Sequence, residues 1–419
     1  MTFRYFAYGS NLWLPRMTSR CPSARPVGTA TLEGWVPVYD KPSVDGSAKL
    51  NIRADRDGVT AGVIYELDES DRPRLDAAEP GYDPIETSVG LTYAYRGEPA
   101  TILPHDWYVA TVARGAASHG IPTPETETSP DPIAPGLRPA DGSDLGVMQA
   151  ILADGLRADD DRHYAHPGEL GWWMFHWDQR RPLTWWIQGD DAFAVIDTSE
   201  PGEISVFARP EADRLPLISW ARQRLHGRGE VAWVSDADGE LTEWLLSSGY
   251  APSSVDRAYE WDLTGELPRP SLPADWHVRA VAGEHEADNR RSASHAAFES
   301  TMSEQMHLDR YLKFMRSPVY APERDLVVVS PEGRIASFMV WWPDDSGIAQ
   351  IEPFGTHPDF HRRGLGRALL LHGLHDMRHA GMHTARVLTN DWRDATAFYE
   401  DVGFRDVGRI QWWAIPSDR

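Results

Sequence analysis

The amino-acid sequence predicts a multidomain protein of mixed α+β and α/β class, and three observations carry that prediction. Segments alternating apolar and polar residues, such as Phe3 to Ala7, are interspersed with helix-period segments such as Ala368, Leu369, Leu371 and Leu374. Two Pro-rich stretches, Ile121 to Ser143 and Gly265 to Pro273, lack periodicity and divide the 419 residues into parts spanning 1–137, 138–268 and 269–419. The second and third parts read as diverged copies of each other, the mark of an internal duplication.

From the N-terminus, the strand Phe3 to Ala7 runs into the turn Tyr8-Gly9-Ser10-Asn11-Leu12. Gly58 to Leu67 reads as a strand, Ser70 to Ala78 as a short helix reaching Glu79, and Trp107 opens a helix closing near Gly115 to Pro122. Ile121 to Ser143 is dense in Pro, Thr, Glu and Asp, cannot bury a core of its own, and reads as a linker or loosely packed tail. In the second part, the strands Leu183–Ile187 and Ala192–Asp197 precede a helix at Leu215–Leu225. In the third, the strands Leu326–Ser330 and Arg334–Trp342 precede a strand at Ala349–Thr356 and a helix at Gly364–His379. The copies end alike: Gly249-Tyr250 and Gly403-Phe404 each follow a short helix and lead into a closing strand. Glycine there predicts a left-handed cap, where a side chain would be strained.

The balance of 41 basic against 63 acidic residues gives a formal charge of −22, which disfavours nucleic acid and anionic membrane as partners. Cys21 is the only cysteine, so neither an internal disulfide nor a Cys-rich zinc site is available, and no metal is expected. Without an N-terminal signal or a long apolar run, the chain reads as cytoplasmic. Eighteen tryptophans, several in pairs within strand-like segments, are expected mostly in sheet cores.

One segment carries chemistry above all others. His361-Arg362-Arg363-Gly364-Leu365-Gly366, followed by Arg367, lies between the strand Ala349–Thr356 and an apolar-periodic helix. Glycines at such a junction leave backbone N–H groups aimed outward at the positive end of the helix dipole, a cradle for phosphate. The segment resembles the acetyl-CoA pyrophosphate loop of the GNAT acyltransferases, with histidine where that pattern has glutamine or arginine. Asn390-Asp391-Trp392-Arg393-Asp394-Ala395-Thr396-Ala397-Phe398-Tyr399 fits the second signature of that family. The resemblance implies that acetyl-CoA is the co-substrate and that Phe354, Gly355 and Thr356 offer backbone groups to its pantetheine. It further implies that Asn390 contacts the same arm, that Glu352 acts as general base on an amine, and that Tyr399 donates to the departing sulfur. The corresponding stretch of the second part, Arg209-Pro210-Glu211-Ala212-Asp213-Arg214, has no glycine and adds two carboxylates. Leu245 stands there where the third part has Tyr399. The second part is therefore expected to be a scaffold, like the degenerate half of tandem GNAT proteins.

At the N-terminus, the Gly-Ser turn after a strand can present consecutive N–H groups to a carboxylate. Tyr8-Gly9-Ser10-Asn11-Leu12, Gly62-Val63-Ile64-Tyr65-Glu66-Leu67 and Leu75-Asp76-Ala77-Ala78-Glu79 together resemble the γ-glutamylcyclotransferases over residues 3–122. That resemblance implies a mixed barrel-like domain whose turn holds the α-carboxylate of a γ-glutamyl group. Glu79 would be the base that frees the substrate's own amine to attack its γ-carbonyl and form 5-oxoproline. The stretch Pro80-Gly81-Tyr82-Asp83-Pro84-Ile85-Glu86 departs from the family, with an added proline and no basic residue. The expected whole is a bifunctional enzyme acting on a small amine and a γ-glutamyl amide, or an acetyltransferase carrying a non-catalytic ligand-binding module. The acyl acceptor and the oligomeric state are not legible in the sequence.

Overall fold

The structure, a computed structural model, describes residues 1–158, 165–176, 183–199, 202–225, 227–390 and 393–416. In chain order the first elements are β1 (Thr2–Ala7), α1 (Leu14–Arg20), β2 (Arg25–Pro42), β3 (Ala48–Asp68), α2 (Arg72–Ala78), β4 (Asp83–Thr87), β5 (Gly90–Ala94) and α3 (Asp106–Ser118). Next come β6 (Leu137–Pro139), α4 (Leu145–Arg157), α5 (Pro167–His176), β7 (Leu183–Gln188), β8 (Ala192–Asp197), β9 (Glu203–Ala208), α6 (Leu215–Arg224), β10 (Glu230–Ser235), α7 (Gly239–Ser247) and β11 (Ala251–Asp262). The last are β12 (His277–Ala280), α8 (Ala287–Ala297), α9 (Glu304–Met315), β13 (Asp325–Val329), β14 (Ile335–Pro343), β15 (Ile348–Thr356), α10 (Leu365–His379), β16 (Thr384–Asn390), α11 (Arg393–Val402) and β17 (Arg405–Ala414). They form two compact units, one of Met1–Ser143, Gln179–Ala208 and Ala212–Glu230, the other of Asp144–Asp178, Arg209–Glu211 and Val231–Arg419.

In the first unit, five strands form a mixed sheet of order β2-β3-β1-β5-β4, with β1 parallel to β5 and the other pairs antiparallel. The edge strands β2 and β4 are not paired with each other, so the barrel-like expectation resolves into an open sheet. Strands β6 to β9 run antiparallel in the order β9-β8-β7-β6, with α6 packed on β8 and β9. Trp13, Trp107, Trp186 and Trp220 pack edge to face at centroid distances of 4.9–6.1 Å, an arrangement the ring quadrupole favours. The Pro-rich segment after α3 is anchored in its second half. The Trp107 indole N–H donates to Asp131 at 2.9 Å, and Ala134, Leu137 and Ala140 are buried. A few anchored apolar residues suffice here, where a periodic pattern would be needed for an element standing alone.

The second unit holds strands in the order β12-β13-β14-β15-β16-β11-β17-β10, antiparallel except where β15 meets β16. Strand β11, which precedes the second Pro-rich boundary, lies between β16 and β17. One sheet face carries Met339, Trp341, Ala349, Ile351, Ala385 and Val387 into a core with Leu369, Leu370 and Leu374 of α10. The other face carries Val340 and Trp342 against Trp172 of α5 and Tyr311 and Phe314 of α9. Gly249 and Gly403 adopt φ of +85° and +125°, and Tyr250 N–H and Phe404 N–H reach back to the carbonyls of Leu245 and Tyr399, as the left-handed caps require.

Candidate functional site

The parallel ladder of β15 and β16 runs from Ile348 opposite Thr384 to Ile351 opposite Val387 and there stops. Beyond it, β15 continues to Thr356 and β16 to Asn390 without pairing to each other, which leaves the backbone groups on their facing edges open. Glu352-Pro353 sits at the point of departure, inside a register shift between β14 and β15, where proline cannot donate a ladder hydrogen bond. The Trp342 indole donates to the Glu352 carbonyl at 2.8 Å and holds this bulge in place.

The end of β15 then touches the start of α10. A Cβ on Gly366 would lie 2.9 Å from Thr356 Oγ1, so glycine allows the close approach of helix to strand. Gly364, at φ +75°, is the N-cap, and the first intrahelical bond is donated by Ala368 to its carbonyl. The N–H groups of Leu365, Gly366 and Arg367 therefore have no helical partner. His361, Arg362, Arg363 and Gly364 are exposed, and the His361 ring is bound to the Thr356 carbonyl at 2.9 Å, latching the loop to the strand. The Leu365 side chain is buried in the core, Arg363 lies over Phe360, and Arg367 pairs with Asp401. Gly355 is needed for packing as well, since a Cβ there would strike the Phe338 ring at 2.6 Å. At the corresponding place in the duplicated copy, the Asp213 carboxylate accepts from Leu215 N–H at the start of α6, occupying the position an anion would take.

Glu352, Phe354 and Tyr399 come together. Phe354 stacks on Phe398 at 5.7 Å and lies 6.4 Å from the Tyr399 ring, which also stacks on Tyr259. Burial, with a smaller effect of Asp256, pushes the Glu352 carboxyl up to about 7. Burial and then Glu352 raise Tyr399 above the ordinary phenol range, so its hydroxyl is a donor at neutral pH. Asn390 stands exposed at the end of β16, opposite Asp256 of β11, while Asp391 and Trp392 of the signature lie outside the described residues.

Side chains that the sequence did not single out complete this face. His166 accepts from Gly168 N–H and bonds to the Ile348 carbonyl, fixing the start of α5 against β15. That places Glu169, 2% exposed, where burial and then Glu352 raise its pKa well above the carboxylate range. Its Oε2, both amide atoms of Gln350 and Nη1 of Arg386 are buried without a partner among the described residues. Gln350 and Arg386 are opposite each other in register and so share a sheet face. Trp173 of α5, Trp233 and Trp412 follow one another at 4.9 and 5.9 Å. Nothing in the local sequence around Glu169 or Gln350 marks either residue.

The N-terminal candidates also meet, in the first unit. Asn11 Nδ2 donates to Tyr5 Oη and to Glu79 Oε1, while Arg20 donates to Asn11 Oδ1 and pairs with Glu79 Oε1 at 3.1 Å. Among the described residues Glu79 Oε2 carries no such bond. Burial raises Glu79, against the opposing effects of Arg20 and Arg16. Ser10 Oγ accepts from Arg16 Nε at 3.0 Å, Tyr8 donates to the Tyr93 carbonyl, and the Leu12 side chain is buried. Gly9, which caps the turn, faces the Tyr108 hydroxyl. Ser10 and Glu79 line a cavity of about 960 Å³ together with Arg16, Arg20, Lys41 and Tyr82. The Lys41 ammonium, on β2, lies 4.8 Å from the Tyr82 ring centroid. Among the described residues no cluster of His, Cys, Asp or Glu could hold a metal ion, and no helix is long and apolar enough to cross a membrane.

Comparison with known proteins agrees with these elements. Residues 290–404 match the acetyltransferase (GNAT) family. The mycothiol acetyltransferase of Arthrobacter sp. (strain FB24) is 28% identical over 208 residues, and the match spans 46% of this chain and 62% of that relative. A tandem GNAT protein from the clavulanic acid biosynthesis pathway aligns in structure over 67% of this chain and 99% of its own, at 14% identity and a TM-score of 0.50, a likeness of fold. A gamma-glutamyl cyclotransferase aligns over 29% of this chain and 82% of its own, at 26% identity and a TM-score of 0.27. Residues 290–404 thus match the acetyltransferase (GNAT) family, within a chain whose fold is similar to that of a tandem GNAT protein.

Proposed function

We propose that the chain is an acetyl-CoA-dependent N-acetyltransferase of a small amine, and the observation that carries this is the strand opening at Ile351/Val387 with Glu352 at its fork. The unpaired edges of β15, with Phe354, Gly355 and Thr356, and of β16, ending at Asn390, would take the pantetheine amides as an added strand. The free amides at the start of α10, with exposed Arg362 nearby, suit the diphosphate. Acetyl-CoA supplies the activated acetyl group. Glu352, poised near neutrality, takes the proton of the acceptor ammonium, and the buried Tyr399 hydroxyl protonates the leaving sulfur. Similarity to mycothiol acetyltransferases makes amines of the mycothiol type the first acceptors to try. Calorimetry with coenzyme A is expected to give saturable heat, and an amine library is expected to contain an acceptor that releases thiol from acetyl-CoA. Absence of both would end this reading.

For the first unit we infer cleavage of a γ-glutamyl amide to 5-oxoproline and a free amine. Glu79 offers Oε2 as the base while Arg20 and Asn11 hold Oε1. Glu79→Gln is expected to lower 5-oxoproline formation by about 10²–10⁴-fold, the usual worth of a positioned base, with coenzyme A binding unchanged. The ion pair of Glu79 with Arg20 and the cationic lining of the cavity favour a second reading, in which the unit binds such a ligand without turnover. Ligand heat without 5-oxoproline, measured on the same sample by mass spectrometry, would select that second reading.

A further inference from the structure

Four polar atoms beside Glu352 are buried without a partner among the described residues: Oε2 of Glu169, Nε2 and Oε1 of Gln350, and Nη1 of Arg386. All three side chains are more than nine-tenths buried. Unpaired buried polar groups cost stability, and folded chains keep few of them without a use. Strand register gathers these on one sheet face. Gln350 of β15 stands opposite Trp342 of β14 on one side and Arg386 of β16 on the other. Glu352 follows two residues along the same strand, which alternation puts on that face as well. Helix α5 packs over β14 and β15, and a Cβ on Gly168 would strike Trp342, so glycine lets the helix come down onto the sheet. Glu169 is the next residue, and its carboxyl is close enough to Glu352 for the two to interact. Helix α5 lies outside residues 290–404, which match the acetyltransferase family, so the second part of the chain contributes a side chain to the site.

Beyond Glu352 the cluster offers an incoming molecule no free charge. Arg386 directs its charge to Glu260, whose Oε1 accepts from Nε and Nη2 at 2.8 and 2.5 Å. Glu169 keeps its proton at neutral pH, because burial first and Glu352 second raise it well above the carboxylate range. Asp256 also acts on Glu352 but stands at the far end of β16, opposite Asn390. A protonated carboxyl, an amide and one guanidinium N–H present donors and acceptors side by side. A second ammonium or a carboxylate on the acceptor would be buried there without a counter-charge. A hydroxyl or an amide, which donates and accepts at once, would pair with these atoms.

We propose that Glu169, Gln350 and Arg386 form an acceptor subsite that selects amines carrying an uncharged hydroxyl or amide near the reacting nitrogen. The proposal rests on the acetyltransferase reading of this site. It is tested by thiol release from acetyl-CoA with ethanolamine, glycinamide, ethylamine, ethylenediamine and glycine. Ethanolamine or glycinamide is expected to show a kcat/KM about tenfold or more above that of ethylamine. In Glu169→Met and in Gln350→Met that ratio is expected to fall toward one. A merely structural side chain would leave the ratio unmoved, since both amines depend equally on the fold. Glu169→Gln, a neutral donor and acceptor of similar shape, should retain it. Gln350→Met keeps the test valid should Glu169→Met disturb the seating of α5. Equal kcat/KM for ethylamine in the unsubstituted protein, or a ratio unchanged in Gln350→Met, overturns the proposal. A preference for ethylenediamine or glycine overturns it too, by showing that the subsite takes a charge. Coenzyme A heat without acetylation of any of these amines overturns the proposal alone, while absence of both overturns the acetyltransferase reading with it.

Discussion

Glu352→Gln is expected to lower kcat/KM for amine acetylation by about 10²–10⁴-fold while leaving coenzyme A binding intact. The acceptor amine is an ammonium at neutral pH and must give up a proton before it can attack. As the proposed base, Glu352 would accept that proton only when ionised, and burial, which disfavours the charged form, raises its carboxyl to about 7. Activity of the unsubstituted enzyme should therefore rise with pH through about 7, and the variant should lose that limb of the profile. Stability should move the opposite way. The folded state favours protonated Glu352, so this preference is complete below the ordinary carboxylate range and is lost as pH rises through about 7. Above that pH, Glu352→Gln should stabilise the fold by about 1–3 kcal/mol after allowance for partial exposure. A merely structural glutamate would lose activity and stability together, so paired pH–rate and urea-midpoint measurements separate the two roles.

The second large effect is structural. Asp325, fully buried, accepts from Arg290 Nε at 3.1 Å and from the Tyr311 hydroxyl at 2.5 Å, and Arg290 is 2% exposed beneath the Phe338 ring. Asp325→Ala would strand a buried guanidinium and is expected to cost about 3–5 kcal/mol, read as a lower urea midpoint by tryptophan fluorescence. Asp325 is the acidic partner of Arg290 among the described residues. Asp325→Asn keeps a carbonyl that can still accept from Tyr311 or Arg290, so it should lose less. Equal losses in the two variants would mean that packing volume, and not the stranded charge, sets the cost.

Much of the molecule was legible before any coordinates. The strand pattern ending at Thr356, the glycines at 364 and 366, and the left-handed caps at Gly249 and Gly403 are local signals. Each follows from alternation, helical period or the freedom of a residue without Cβ, and each is present in the structure. The Asn11–Glu79 contact was foreshadowed only because both residues fell within one resembled pattern. In the Pro-rich segment after α3, composition reports average polarity, whereas Trp107 and Asp131 make one specific anchor.

The chain's sequence by itself determined which segments are strands and helices, where the backbone must turn left-handed, and which loop frees its amides. Only the tertiary structure decided that β11 enters the sheet between β16 and β17, and that Glu169 of α5 reaches Glu352. It likewise brought Lys41, Lys49, Arg224 and Arg228 around one cavity. The physical reason is range: dihedral preference and period act over a few residues and leave their mark on neighbours in sequence. Charge, burial and strand register act through space, between residues a hundred or more positions apart, and no local pattern records them.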